Sequence, residues 1–217
     1  MIRNLKFLGL ALVAALAMSS ALANMASADV LTSELAFKTT IDGKQGGTDV
    51  FKVHGGEVKC ATVTYTGSFT TGASSAEVTP TYDNCTFAGL AATIDMNECK
   101  YRISITGGTS TAGSVDIVCI GTNEITVTAP KVGTKKCIVH VAGQADLTNA
   151  TVTNVGTSTT KELTLDINIT NINYSQTAGM AETGNCKAAE DTTGGTYTGD
   201  ATFTGSIGGV HVGIFAS

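Results

Sequence analysis

Beyond its first 28 residues the chain alternates apolar and polar residues with a period of two and carries almost no helix signal, so it is restricted to a β fold. The clearest stretch runs from Val50 to Cys60. A two-residue turn at Gly55-Gly56, where glycine tolerates the positive φ of a tight hairpin, predicts the pairs His54/Glu57, Val53/Val58, Lys52/Lys59 and Phe51/Cys60. In that register Phe51, Val53, Val58 and Cys60 face a core and the charged residues face water.

The same logic puts Cys99, Tyr101, Ile103 and Ile105 on one inward face, and Val115, Ile117 and Cys119 on another. From Leu163 the apolar phase runs through Leu165, Ile167 and Ile169, then flips to Ile172 and Tyr174. One extra residue near Thr170 and Asn171, a β-bulge, predicts that flip. Tyr197, Ala201 and Phe203 share a face, and Val210, Val212 and Ile214 end the chain. Turns are expected at Gly107-Gly108, Gly121-Thr122-Asn123, Gly194-Gly195 and Gly208-Gly209, with a long loop over residues 178 to 195. Pro80 and Pro130 are expected where a strand can spare an amide. About a dozen short strands predict an all-β fold: an antiparallel β-sandwich or a curled, barrel-like sheet.

Arg3 and Lys6, the apolar run Phe7 to Ala17 and the small-residue site Ala26-Ser27-Ala28 read as a cleaved signal peptide over residues 1–28, leaving one β-domain over 29–217. The apolar run is too short for a lasting membrane anchor, and the expected location is secreted and extracellular. Without Arg3 and Lys6 the charge is 11 basic against 18 acidic residues, a net of −7, which argues against nucleic acid as the partner. With so few charges, the solvated faces rely on 36 threonines, all of them beyond residue 28. Cys60, Cys85, Cys99, Cys119, Cys137 and Cys186 predict three disulfides. Spacing leaves the connectivity open, and nearest-neighbour pairing (Cys60 with Cys85, Cys99 with Cys119, Cys137 with Cys186) would join neighbouring strands.

Residues able to carry chemistry are few. Ser110, in Gly108-Thr109-Ser110-Thr111-Ala112, lies in a Gly/Thr/Ser loop that lacks the final glycine of a nucleophile elbow. His54, His140 and His211 are scattered, and no metal or cofactor is expected. Asp83, Asp95, Glu98 and the run Glu190-Asp191 could pair for glycoside hydrolysis, but Asp95, Asn97 and Glu98 flank a turn that such residues commonly cap. Tyr82, Tyr174 and Tyr197 are the aromatics available for an exposed sugar platform.

Gly-Gly-Glu-Val-Lys-Cys at 55 to 60, Thr-Pro-Thr-Tyr-Asp-Asn-Cys at 79 to 85, Asp-Met-Asn-Glu-Cys at 95 to 99, Asp-Ile-Val-Cys at 116 to 119 and Val-His-Val-Gly-Ile-Phe at 210 to 215 carry a resemblance. Together they resemble a group of exported, six-cysteine, β-rich proteins of actinobacteria. The resemblance implies a bacterial extracellular protein and supplies no catalytic residues. The expected function is therefore non-enzymatic binding of a polysaccharide, cell wall or protein partner through loops or a threonine-rich face. Alternatives are a structural subunit assembled by strand pairing and a small hydrolase using two acids.

Overall fold

A computed structural model describes residues 29–35, 37–54, 56–106, 111–132, 135–157, 160–177 and 189–217. Each alternating segment becomes a strand: β1 (Leu31–Ser33), β2 (Lys38–Gln45), β3 (Asp49–Val53), β4 (Gly56–Thr70), β5 (Ser75–Phe87), β6 (Leu90–Asp95), β7 (Lys100–Ile105) and β8 (Thr111–Val118). The second half contributes β9 (Glu124–Val132), β10 (Lys135–Ala142), β11 (Gln144–Val155), β12 (Glu162–Thr177), β13 (Ala189–Ile207), β14 (Val210–Val212) and β15 (Ile214–Ala216).

Thirteen of these strands form one antiparallel sheet, and β1 pairs with β15 separately. Four strands, β4, β5, β12 and β13, run the length of the sheet. The others join end to end to span it: β2 and β3 both pair with β4, β6 and β7 with β5, and β10 and β11 with β12. Likewise β8 pairs with β7 and β9 with β6. The wall therefore reads as eight antiparallel staves in chain order, and β13 closes it by pairing with β2 and β3. Of the two architectures expected, the barrel is the one found. An eight-stranded barrel has an interior that side chains can fill. Val63, Val78, Val139 and Phe87, each at most 1% exposed, do so here.

One mouth is plugged by the β1–β15 pair. Leu31 of β1 and Ile214 and Ala216 of β15 are buried there against Ile41, Phe69, Ile105 and Phe203. Asn154 at the end of β11 clasps the plug, its Oδ1 accepting from the Ala216 amide and its Nδ2 donating to the Ala216 carbonyl, both at 2.8 Å. Replacing Asn154 by alanine should cost about 1 to 2 kcal/mol, because both backbone groups lose their partner. Calorimetric melting would give the loss, and faster amide exchange confined to β1 and β15 would locate it.

The wall's outer faces carry Thr, Lys, Asp and Asn: Lys44, Thr64 and Thr66 along β2 and β4, and Asp166 and Asn168 along β12, are all exposed. That is the reverse of a lipid-facing barrel, whose outer band is apolar. Among the described residues no helix is long and apolar enough to cross a membrane.

The inward faces are those expected, and the bulge is present: the β12–β13 register shifts between Ile169 and Ile172, with Asn171 at φ 63°. Pro80 interrupts nothing, because it lies between the β7 pairing, which stops at Val78, and the β6 pairing, which starts at Cys85. Cys60–Cys85 and Cys99–Cys119 are bonded as expected. Cys137 is also disulfide-bonded, while Cys186 lies outside the described residues.

Two expectations are corrected. In the first hairpin Val53 pairs with Gly56, Lys52 with Glu57, Phe51 with Val58 and Asp49 with Cys60, a slip of two from the predicted register. An even slip preserves which side chains face inward, so binary pattern cannot detect it. The His54/Glu57 ion pair is thereby lost. His54 moves into the turn, where its amide donates to the Tyr174 hydroxyl, and Glu57 instead binds Lys52 and Lys59. The second correction concerns Gly194-Gly195, which is no turn: β13 runs through it, and Gly195 pairs with Ile172. A Cβ on Gly195 would lie 3.1 Å from both the Phe51 and Tyr174 rings, so the glycine admits two aromatic neighbours to the wall. The loop expected up to residue 195 is accordingly strand from Ala189 onward, and its remainder, with the Gly107-Gly108 turn, lies outside the described residues.

Candidate functional site

Of the acids suggested by the sequence, Asp95 and Glu98 are occupied in structural roles. Asp95 Oδ1 accepts from the Asn97 amide at 2.9 Å, closing a turn between β6 and β7 in which Asn97 and Glu98 both have left-handed φ, 44° and 63°. Asn97 Nδ2 ties this turn to β9 through the Glu124 carbonyl at 2.8 Å, and Glu98 Oε2 accepts from Asn123 at 3.1 Å. Asp83 is exposed on β5, opposite Thr62. The Glu190-Asp191 side chains and Ser110 lie outside the described residues.

The histidines do not meet. His54 is at one mouth, His211 on β14 at the other, and His140 on the outer wall with Nδ1 at 3.4 Å from Glu124. Among the described residues no three His, Cys, Asp or Glu side chains converge as metal ligands. The three tyrosines form no exposed aromatic platform: Tyr174 is buried, and Tyr82 and Tyr197 line the barrel interior. The inward phase of their strands dictates this.

Two other features carry chemistry. The first is a groove of about 400 Å³ on the outer face of β2, β4, β5 and β7. Strand register builds it. Thr66 of β4 stands opposite Thr79 of β5, Ser68 opposite Glu77, and Lys38 of β2 opposite Thr70, while Arg102 of β7 stands opposite Glu77. At the floor lies Gly67, where a Cβ would come within 2.2 Å of the Glu77 carbonyl oxygen. Arg102 is held on Glu77 by two hydrogen bonds, from Nη2 at 2.8 Å and Nε at 3.3 Å. Glu77 is thus engaged, with Lys100 Nζ also 3.9 Å from its Oε2 and Arg102 Nη1 4.0 Å from Asp116 Oδ2, and Lys38 and Lys100 line a hydroxyl-bearing channel. This is a locally cationic strip on an acidic protein.

The second feature is inside the barrel. Asp49 of β3 is 3% exposed, in phase with Phe51 and Val53 on the inward face. Four of the five tyrosines gather around it. The Tyr65 hydroxyl donates to Asp49 Oδ2 at 3.1 Å, and the Tyr82 and Tyr101 hydroxyls share a proton-bearing contact at 2.6 Å. Tyr197 faces the same carboxyl outside hydrogen-bonding geometry. Its hydroxyl and Asp49 Oδ1 are both buried without a hydrogen-bond partner among the described residues. Burial pushes the Asp49 carboxyl up to about 6, with the neighbouring Asp200 charge adding to the effect and the phenols of Tyr197 and Tyr65 opposing it. Burial likewise raises the phenols, Tyr101 to about 12, so all stay neutral. Gly199 makes room for the carboxyl: a Cβ there would sit 2.0 Å from Asp49 Oδ1.

The chain matches no protein-family model, no curated protein and no solved structure. Its chemistry is therefore read from geometry alone. The outer groove offers charge and hydroxyls to an extended ligand. The interior offers one carboxyl, three phenols and an apolar cavity of about 80 Å³, lined by Asp49, Tyr82, Tyr101 and Tyr197 together with aliphatic side chains such as Ile117 and Val127. Sequence reasoning missed Asp49, although its signal was present: an acidic residue in phase with Phe51 and Val53 breaks the alternation that places charges outside.

Proposed function

We propose that this protein is an exported, non-enzymatic binding barrel that holds an anionic cell-envelope or extracellular polymer along the groove of β2, β4, β5 and β7. The observation that carries the reading is the groove itself, in which Lys38, Lys100 and Arg102 face one carboxylate among Thr66, Ser68, Thr70 and Thr79. An extended anionic chain can be met there by cations and hydroxyl donors at strand spacing, on a rigid wall that loses little entropy on binding. The signal-like N-terminus, the disulfides and the resemblance to exported actinobacterial proteins support an extracellular setting. The hydrolase reading is weaker, since Asp95 and Glu98 are committed to turn hydrogen bonds. Assembly through a free wall edge is weaker too, since the eight staves close on themselves.

The test is retention of the purified, oxidised mature protein on insoluble polysaccharides and bacterial cell walls, with and without reduction. Retention is expected on anionic matrices, to weaken as salt screens the contacts, and to fall about tenfold or more in a Lys38→Glu, Lys100→Glu double variant. Equal retention of that variant would reject the groove, and retention on neutral matrices alone would reject the anionic ligand.

A further inference from the structure

The interior cluster is not needed for the outer groove, and its composition is unusual for a structural core. Asp49 is almost wholly buried, one of its oxygens lacks a hydrogen-bond partner among the described residues, and the Tyr197 hydroxyl beside it is in the same position. Both residues line the 80 Å³ cavity in the middle of the barrel. Buried acceptors of this kind are ordinarily paired, and a buried carboxylate is best paired with a cation. Among the described residues no lysine or arginine lines the cavity; its other walls are Phe51, Ile94, Val115, Ile117, Ile125 and Val127 among further aliphatic side chains.

The cavity size limits the occupant. A dry cavity of about 150 Å³ accepts a six-carbon ring, so 80 Å³ suits about three heavy atoms. A carboxylate, phenol hydroxyls and an aliphatic wall together call for a positive donor head on a short apolar tail. We propose that this cavity binds a short alkylammonium ion, its ammonium donating to Asp49 Oδ1 and the Tyr197 hydroxyl and its alkyl chain packed on Ile117 and Val127. Tyr65 holds the other carboxylate oxygen in place, and the Tyr82–Tyr101 hydroxyl pair keeps the adjoining wall polar. Gly199 is what allows the carboxyl to lie against the wall without blocking the space.

Titrating ethylammonium chloride into the full mature protein at about pH 7.5, where Asp49 is ionised, tests this by amide and methyl NMR shifts. Saturable shifts are expected at interior methyls of Ile117 and Val127, with ethanol, the neutral counterpart, producing none. Affinity should fall about tenfold or more in Asp49→Asn, in line with loss of a charged hydrogen bond. It should fall less in Tyr197→Phe. Val127→Leu, which keeps the core apolar while filling part of the cavity, should weaken binding with Asp49 intact. Shifts confined to the outer wall, or none at all, would overturn the proposal. Equal binding of ethanol, with no loss in Asp49→Asn, would also overturn it by showing that the site takes neutral donors such as water.

Discussion

Asp49→Asn is expected to make the protein more stable than the native chain at neutral pH and no more stable near pH 4, the reverse of the usual result of removing a carboxylate. The sign follows from linkage. The carboxyl stands at about 6 in the folded chain against an ordinary value of 3.8, so between those two pH values the folded state binds more protons than the unfolded state. Stability contributed by this group is therefore fully present below about pH 4 and is lost as pH rises to about 6 and beyond. The interval between 3.8 and about 6 corresponds to about 3 kcal/mol, reduced to about 2 once residual solvent screening is allowed for. In a chain of this size that is about 4 to 8 °C in melting temperature. Asparagine keeps the shape and an oxygen for the Tyr65 hydroxyl while removing the buried charge. Melting both proteins at intervals across this range isolates the effect, since every other titrating group is common to both. A difference that did not change with pH would mean that Asp49 is not a buried, reluctant acid.

Retaining such a group at a cost in neutral-pH stability is the physical argument that it has a use. A core evolved for packing alone could place valine there, in phase with Phe51 and Val53. Gly199 reinforces the point: the wall gives up a side chain opposite the carboxyl, and any Cβ there would collide with it.

How far the fold could be read from residues differs from element to element. Inward faces were legible wherever alternation was strict, as at Cys99, Tyr101, Ile103 and Ile105, because a period of two leaves only one assignment. The bulge at Thr170 and Asn171 was legible for the same reason, as a phase flip. Register in the first hairpin was not, since sliding by two conserves every face. Barrel closure was not legible either. It depends on β13 pairing with β2 and β3 across more than 140 residues of sequence, a long-range fact that no local pattern encodes. The break between β6 and β7 depends on left-handed Asn97 and Glu98, which ordinary propensity disfavours for Glu, whereas that between β8 and β9 turns at left-handed Gly121, as the sequence suggests. The outer groove arises from the cross-strand register of β2, β4, β5 and β7, which alternation alone leaves open. The interior cluster was missed because Tyr82, Tyr101 and Tyr197 read singly as core or surface, Tyr65 carries no separate signal, and none of them reads as the neighbour of one acid.

Removing either described disulfide should destabilise the protein by about 3 kcal/mol, and the two losses should differ in where they are felt. Cys60–Cys85 closes a separation of 25 residues and Cys99–Cys119 one of 20, so loop-closure entropy assigns them nearly equal contributions to restraint of the unfolded chain. Paired Cys-to-Ala variants should each melt about 6 to 12 °C lower. The folded states, however, are held differently. Cys60 and Cys85 face each other within a ladder extending from Val58/Phe87 to Ser68/Glu77, and the strands around them keep their register without the bridge. Cys99 and Cys119 sit where no strand is continuous, one after the Asp95 turn and the other before β9, and there Asn97 and Glu98 hold left-handed geometry with one backbone hydrogen bond, Cys99 N–H to the Met96 carbonyl at 2.7 Å, and a few side-chain hydrogen bonds to help. Amide exchange should therefore quicken locally at residues 96–99 and 119–123 in Cys99→Ala, Cys119→Ala, while the Cys60→Ala, Cys85→Ala variant shows only the uniform acceleration of a less stable barrel. Unchanged melting on loss of either bridge would reject the entropic account. Equal exchange patterns would show that the wall, and not the bridge, holds the breaks between its staves.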